Sequence, residues 1–325
     1  MRKSGVILLI ICLTLISGCQ EKNISVPPSM NNYLIVSNLK KAELSFTNIK
    51  TGTYLTEEIP FRITSMAKVN HNTIILAGEN EDFLYRLNLK SGALTKFFQA
   101  SKGVNELLYD SKNKLLIFSN SQADQIGMYD VQNEKLIAEI PVGRYPLSLA
   151  LNRKNLKLYV INVKSATLSV IDMKNKKQIA QFPIVKRPKG LYFDGKDVWV
   201  GGHGPYGTLN ETIFVYNPET GKEVDRIKVG VMPVDFYGDS SSSYVYAICH
   251  GSSSVYRIDV HVRSVSEPLQ VGANPYDIIG DSRKIFVTSV DGDSLAIIDR
   301  TTFTVSKEMK LKNGPHMMVL GEKDE

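Results

Sequence analysis

The chain has 325 residues, with 39 Lys and Arg against 33 Asp and Glu and a formal net charge of +6. Two of the positive residues, Arg2 and Lys3, belong to an N-terminal targeting segment, and the lysines elsewhere are scattered over turns such as Lys174-Asn175-Lys176-Lys177. The sequence therefore lacks the clustered basic stripe, interleaved with aromatics, that a nucleic-acid surface requires. Its three cysteines, Cys12, Cys19 and Cys249, exclude a disulfide-built scaffold once the first two are assigned to export.

In chain order, Arg2-Lys3 and the apolar run Val6 to Ile16 read as a signal segment too short for a comfortable membrane span. Leu15-Ile16-Ser17-Gly18-Cys19 resembles a bacterial lipobox, which makes residues 1–18 a lipoprotein signal peptide and Cys19 the lipidated N-terminus. Residues 19–31 then read as a polar, proline-containing tether, and residues 32–325 as a single repeat domain. The richness in Lys, Ile and Asn points to a Gram-positive bacterium, with the protein lipid-anchored on the extracytoplasmic face of the cell membrane.

The repeat is legible from an Asp or Asn at Asn48, Asn88, Asp130, Asp172, Asn217, Asp259 and Asp299, separated by 40, 42, 42, 45, 42 and 40 residues. Thirteen residues earlier stands a β-branched, aromatic-rich tetrad, as in Tyr159-Val160-Ile161-Asn162 and Phe286-Val287-Thr288-Ser289. A proline recurs at Pro146, Pro188, Pro233, Pro275 and Pro315, after Val-Gly at Val142-Gly143, Val229-Gly230 and Val271-Gly272. A period near 42 residues built of short alternating runs broken by Asn, Asp, Gly and Ser predicts four strands per unit and seven units. The fold class is all-β: a seven-bladed β-propeller of four-stranded antiparallel blades. The segment His316 to Leu320 reads as an inner strand with no blade after it, and the first tetrad has no inner strand before it. Ring closure by the C-terminal strand joining the first blade is the expected solution, because it leaves no open edge.

The tetrads, the later Ile-Asp and the Val-Gly-x-x-Pro resemble the YVTN-type seven-bladed β-propeller repeat family over nearly all the chain after residue 30. The resemblance implies the fold. For function it implies little, since that family includes surface-layer and secreted binding proteins and only some relatives are enzymes.

Departures from the repeat mark the candidate site. The segment His203 to Glu211 makes the loop after Trp199-Val200-Gly201-Gly202 about five residues longer than its counterparts, and it carries Tyr206. Inserted loops in repeat proteins gather on one face, often the binding face. His203 and His250 stand at the same repeat position in blades five and six; imidazole suits ligand contact and proton transfer near neutral pH. His316 follows Pro315, and Asp235 and Asp277 each lie two residues after a proline, so all are expected on the same face. Arg144 and Arg187 are expected across the ring as positive groups for a carboxylate or phosphate. Cys249 reads as a small core residue.

No Gly-x-Ser-x-Gly, Gly-rich phosphate loop, His-Glu-x-x-His or Cys-x-x-Cys-His is present. No cofactor or metal is called for, and a monomer is expected. The sequence thus favours a binding protein over an enzyme, presenting a loop face to a small ligand, a cell-wall polymer or an envelope protein. The alternative is a propeller lyase or hydrolase using His203, His250 or His316 as general base, with or without a metal ion.

Overall fold

The computed structural model describes residues 22–78, 80–239 and 242–321; the signal segment and Cys19 lie outside them. The described residues form strands and turns with no helix. They build seven antiparallel blades around an axis, each counted by one of the recurring Asp or Asn residues. The C-terminal strand Pro315–Leu320 lies beside Tyr33–Asn38 with Val319 opposite Ile35, and so supplies the inner strand of blade one.

The tetrad recurs because the second strand of each blade is buried on both sides. In Lys157–Asn162, Leu158 and Val160 pack with Ile117 and Ile126 of blade three, whereas Tyr159 and Ile161 pack with Val198 and Val200 of blade five. Alternate side chains thus enter the two flanking inter-blade cores, and each fully buried one contributes about 1.5–3 kcal/mol. Cys249 is fully buried in this way between blades five and six.

The Asp or Asn that measures the period closes the turn to the outer strand. Asp130 Oδ1 accepts the backbone N–H groups of Gln132 and Asn133, and Asn217 Oδ1 accepts those of Glu219 and Thr220. Asn48, Asn88, Asp259 and Asp299 do the same in their blades. Only a short side-chain carbonyl or carboxylate reaches its own backbone two and three residues on.

The described part of the expected tether is not a free linker. Lys22–Asn23 adds a fifth strand to blade two, pairing with Leu94 and Ala93 at the start of the outer strand Ala93–Gln99. Ile24 and Met30 are buried in the core shared by blades one and two. Burial of these two apolar side chains and the strand pairing with blade two together offset the entropy lost in ordering the segment.

Candidate functional site: the axial mouth

The mouth is framed by one repeated backbone contact. The residue before each of five mouth prolines, or glycine in one case, adopts a left-handed conformation: Tyr145, Arg187, Met232, Asn274 and Gly314 have φ between 55° and 67°, apart from Arg187 at 51°. Its carbonyl accepts the N–H of the first residue after the neighbouring second strand. His203 donates to Arg187 at 3.0 Å and His250 to Met232 at 2.9 Å, as Val163 does to Tyr145 and Val290 to Asn274. The two histidines therefore occupy equivalent stations of adjacent blades, as the repeat predicts.

From the inner strands, the residue directly after each proline reaches the axial channel. Lys189, Val234 and Tyr276 line it, with Thr64, Asn105 and Leu147 at the same station of blades two to four, around a cavity of about 270 Å³. Above it runs an arc of rings. His203 and His250 have centroids 5.9 Å apart, His250 and Tyr276 5.6 Å, and Tyr276 and His316 4.0 Å. The Lys189 ammonium sits 3.5 Å from the centroid of the Tyr276 ring, a cation–π contact across the channel.

The environment holds these imidazoles neutral. Burial, reinforced by the Lys189 charge, pushes His250 and His316 down to about 3, and His203 is lowered by the same causes with Arg187 adding to them. Burial lowers Lys189 to about 8, with Asp235 and Asp277 pulling it back up. His316 is only 4% exposed, yet neither of its ring nitrogens has a hydrogen-bond partner; His250 Nε2 and Asn105 Nδ2 are unpartnered as well.

Asp235 and Asp277 share this channel but not the role expected of them. Asp235 Oδ2 accepts the N–H of Ile278 on the next blade, and its Oδ1 accepts that of Phe236. Asp277 Oδ2 accepts the N–H of Met318 at 2.6 Å. Both carboxylates fasten one inner strand to the next. Glu106, which the sequence did not single out because blade three has no proline before it, accepts the N–H of Leu149 in the same manner. Burial raises all three acids, Asp235 to about 6, Glu106 to about 8 and Asp277 well above the carboxylate range.

The long loop of blade five, 203–211, stands between the strands Val198–Gly202 and Thr212–Tyr216. It is pinned at its end by Asn210, whose amide donates to the carbonyls of Gly202 and Thr212. Tyr206 is 87% exposed at the tip, with the Arg187 guanidinium 4.4 Å over its ring. Arg187 is thus a neighbour of the loop rather than a group across the ring. Arg144 is exposed on the preceding blade connection and lines neither cavity of the mouth.

Between this loop and blade four lies a cavity of about 560 Å³ bounded by Lys164, Lys186, Arg187, Lys189, His203 and Tyr206. No carboxylate lines it, and none of the four cations forms an ion pair among the described residues. Lys164 rests over the Tyr145 ring at 4.7 Å. Lys189 and Leu147 also line the axial cavity, so the two spaces adjoin. A larger depression, about 970 Å³, opens on the opposite face around Tyr192, Phe193 and Asp194, but none of its lining atoms is a buried unpartnered polar group. Among the described residues no three His, Cys, Asp or Glu side chains are grouped as a metal centre.

Fold and mouth together define a seven-bladed β-propeller with a cationic cavity, bordered by His203, at one end of its axis. No family model and no curated protein sequence matches the chain. Solved structures share its fold. The dihydro-heme d1 dehydrogenase NirN in complex with DHE is 12% identical, with a TM-score of 0.64 over 93% of this chain and 77% of that one. Apo AztD from Citrobacter koseri is 12% identical, with a TM-score of 0.59 over 88% and 96%. A functionally unknown protein from Desulfotomaculum acetoxidans DSM 771 is 13% identical, with a TM-score of 0.71 over 90% and 100%. At these identities the likeness is one of fold.

Proposed function

We propose that the chain is a lipid-anchored extracytoplasmic binding protein of the YVTN-type propeller family, and that its mouth takes a small anionic ligand. One observation carries this reading: four cationic side chains converge on a cavity that contains no carboxylate. Unneutralised positive charge beside a low-dielectric wall attracts an anion strongly, and the Arg187 fork suits a carboxylate or phosphate. The occurrence of a bound small molecule in the structurally similar NirN supports ligand binding as a use of this architecture.

The enzyme alternative is weaker on chemical grounds. A general base works best when its pKa lies near the operating pH, and burial leaves His250 and His316 near 3. Anchoring through Cys19 fits the pairing of Lys22 with blade two, which puts the entry of the chain on the far side of the ring from the mouth loop of blade five.

Titration calorimetry of the mature protein with inorganic phosphate and small carboxylates tests the binding reading. Saturable binding that weakens about tenfold in Arg187→Ala is expected, and an affinity unchanged by that substitution defeats the reading. Anchoring is tested separately: a fatty-acid label that persists in Cys19→Ala rules it out.

A further inference from the structure

We infer that the axial channel is a second subsite, for an uncharged hydroxyl-bearing group, so that the full ligand is an acidic sugar or polyol, such as a sugar phosphate. The inference deepens the anion-binding reading and depends on it for the acidic end of the ligand. Its own footing is different. Buried polar atoms in a folded protein are nearly always paired, and an unpaired one calls for a reason. Here four unpaired atoms belong to three residues of the mouth: Nδ1 and Nε2 of His316, Nε2 of His250, and Nδ2 of Asn105. Asn105 lines the 270 Å³ cavity from blade three; His250 and His316 pack against the ring of Tyr276, which lines the same cavity from blade seven.

The chemistry of those atoms selects the ligand. Both histidines are neutral, so the two unpaired nitrogens of His316 are one N–H donor and one bare acceptor, and Nε2 of His250 adds a further donor or acceptor. The Asn105 amide nitrogen is a donor only. A hydroxyl group donates and accepts from a single oxygen, and a sugar or polyol presents several such groups on adjacent carbons. A second anionic group is disfavoured in the channel above about pH 6, where Asp235 is ionised; burial keeps Glu106 and Asp277 protonated beside it. A second cation is disfavoured by Lys189. The 270 Å³ cavity and the 560 Å³ cavity share Lys189 and Leu147, so one molecule reaches from the hydroxyl subsite to the cations of the outer cavity. Lys189 stands at the junction, where the phosphate or carboxylate meets the polyol.

The test compares inorganic phosphate, glucose 6-phosphate, glycerol 3-phosphate and glucose by titration calorimetry on the mature protein. Sugar and polyol phosphates are expected to bind about tenfold or more tightly than phosphate alone. His316→Ala and, independently, Asn105→Ala are expected to remove that advantage while leaving the affinity for phosphate unchanged. Thermal melts of both variants report whether each still folds, and Asn105, less buried than His316, serves where His316→Ala fails to fold. If phosphate binds but the organic phosphates do no better, the channel holds only water and the second subsite is wrong while the anion reading stands. If Arg187→Ala leaves phosphate binding intact but Asn105→Ala weakens binding of glucose, the anion reading falls and the hydroxyl subsite remains. Equal weakening of phosphate and sugar phosphate by Asn105→Ala also overturns the inference.

Discussion

The Asp235 carboxylate accepts the backbone N–H of Ile278, 43 residues further along the chain and one blade further around the ring. Asp277 repeats the contact with Met318 over 41 residues, Glu106 with Leu149 over 43, and the Ser65 hydroxyl with Leu107 over 42. The separations equal the repeat period. A single inner-strand station therefore fastens successive blades through side chains that differ in kind and share one bonding role. In blade four the same station is Ser148, whose hydroxyl instead donates to the Lys189 carbonyl.

Removing one of these acceptors leaves a buried N–H unpaired. Asp235→Ala and Asp277→Ala are each expected to cost about 1–3 kcal/mol. The corresponding Asn variants keep an acceptor oxygen and are expected to lose less. Thermal unfolding of the four variants checks this; Ala variants as stable as the parent would show that the contacts contribute nothing to ring cohesion.

The fold was legible in the sequence because its signals are enforced blade by blade. A second strand buried on both sides tolerates only apolar or small residues, and a turn that needs an oxygen two residues before its N–H groups tolerates only Asp or Asn. The candidate site was legible where a residue broke a visible column: His203, His250 and the long loop that carries Tyr206. It was not legible where the column itself was hidden. Asp235 and Asp277 looked like ligand groups because acids near a mouth invite that reading, and their partners are backbone N–H groups of another blade. Lys189 occupies the column of Tyr276 and His316, directly after a proline, and comparing that column across blades was the signal that would have found it. Ile24 and Met30 in the supposed tether were likewise two apolar residues with no reason to be in a solvated linker.

Glu106 makes the stability of the ring depend on pH. Its folded pKa of about 8 exceeds the ordinary 4.5, so between these values the folded protein holds a proton that the unfolded chain has released. Its contribution is complete below 4.5 and is lost as the pH rises toward 8, at up to about 1.4 kcal/mol for each pH unit. Glu106→Gln preserves an acceptor for Leu149 and abolishes the titration. The variant is therefore expected to gain stability relative to the parent between about pH 5 and pH 8. Melting curves of the two proteins that stay parallel across this range would remove Glu106 as the source.

The blade-five loop tests whether binding and folding are separable. Its tip is exposed and its end is held by Asn210, so replacing residues 203–209 by a short turn that keeps Asn210 is expected to change stability by less than about 1 kcal/mol. The same replacement removes His203 and Tyr206 and frees Arg187 from its ring. Phosphate binding by the shortened protein is expected to fall about tenfold or more, and undiminished binding would assign the outer cavity's recognition to Lys164 and the segment 186–189 alone.

Lys189 sets the upper pH limit of anion binding. An ordinary lysine keeps its charge to about 10.4, but burial lowers this one to about 8. Below that value its ammonium is present to meet an anion; above it the group is neutral and its attraction is gone, although Lys164, Lys186 and Arg187 remain charged. The affinity for a small carboxylate, which stays ionised throughout this range, is therefore expected to be steady up to about pH 7 and to decline as the pH passes 8. Neither His250 nor His316 contributes an inflection in this range, since both lose their protons near 3. Lys189→Arg, whose guanidinium does not deprotonate, is expected to move the decline out of the measurable range, provided that it still folds as shown by its melt. Calorimetric titrations between about pH 7 and pH 9.5 on both proteins give the comparison. A decline that persists in the arginine variant would place the titrating group elsewhere in the mouth, and a parent protein with no decline would show that the Lys189 charge plays no part in holding the anion.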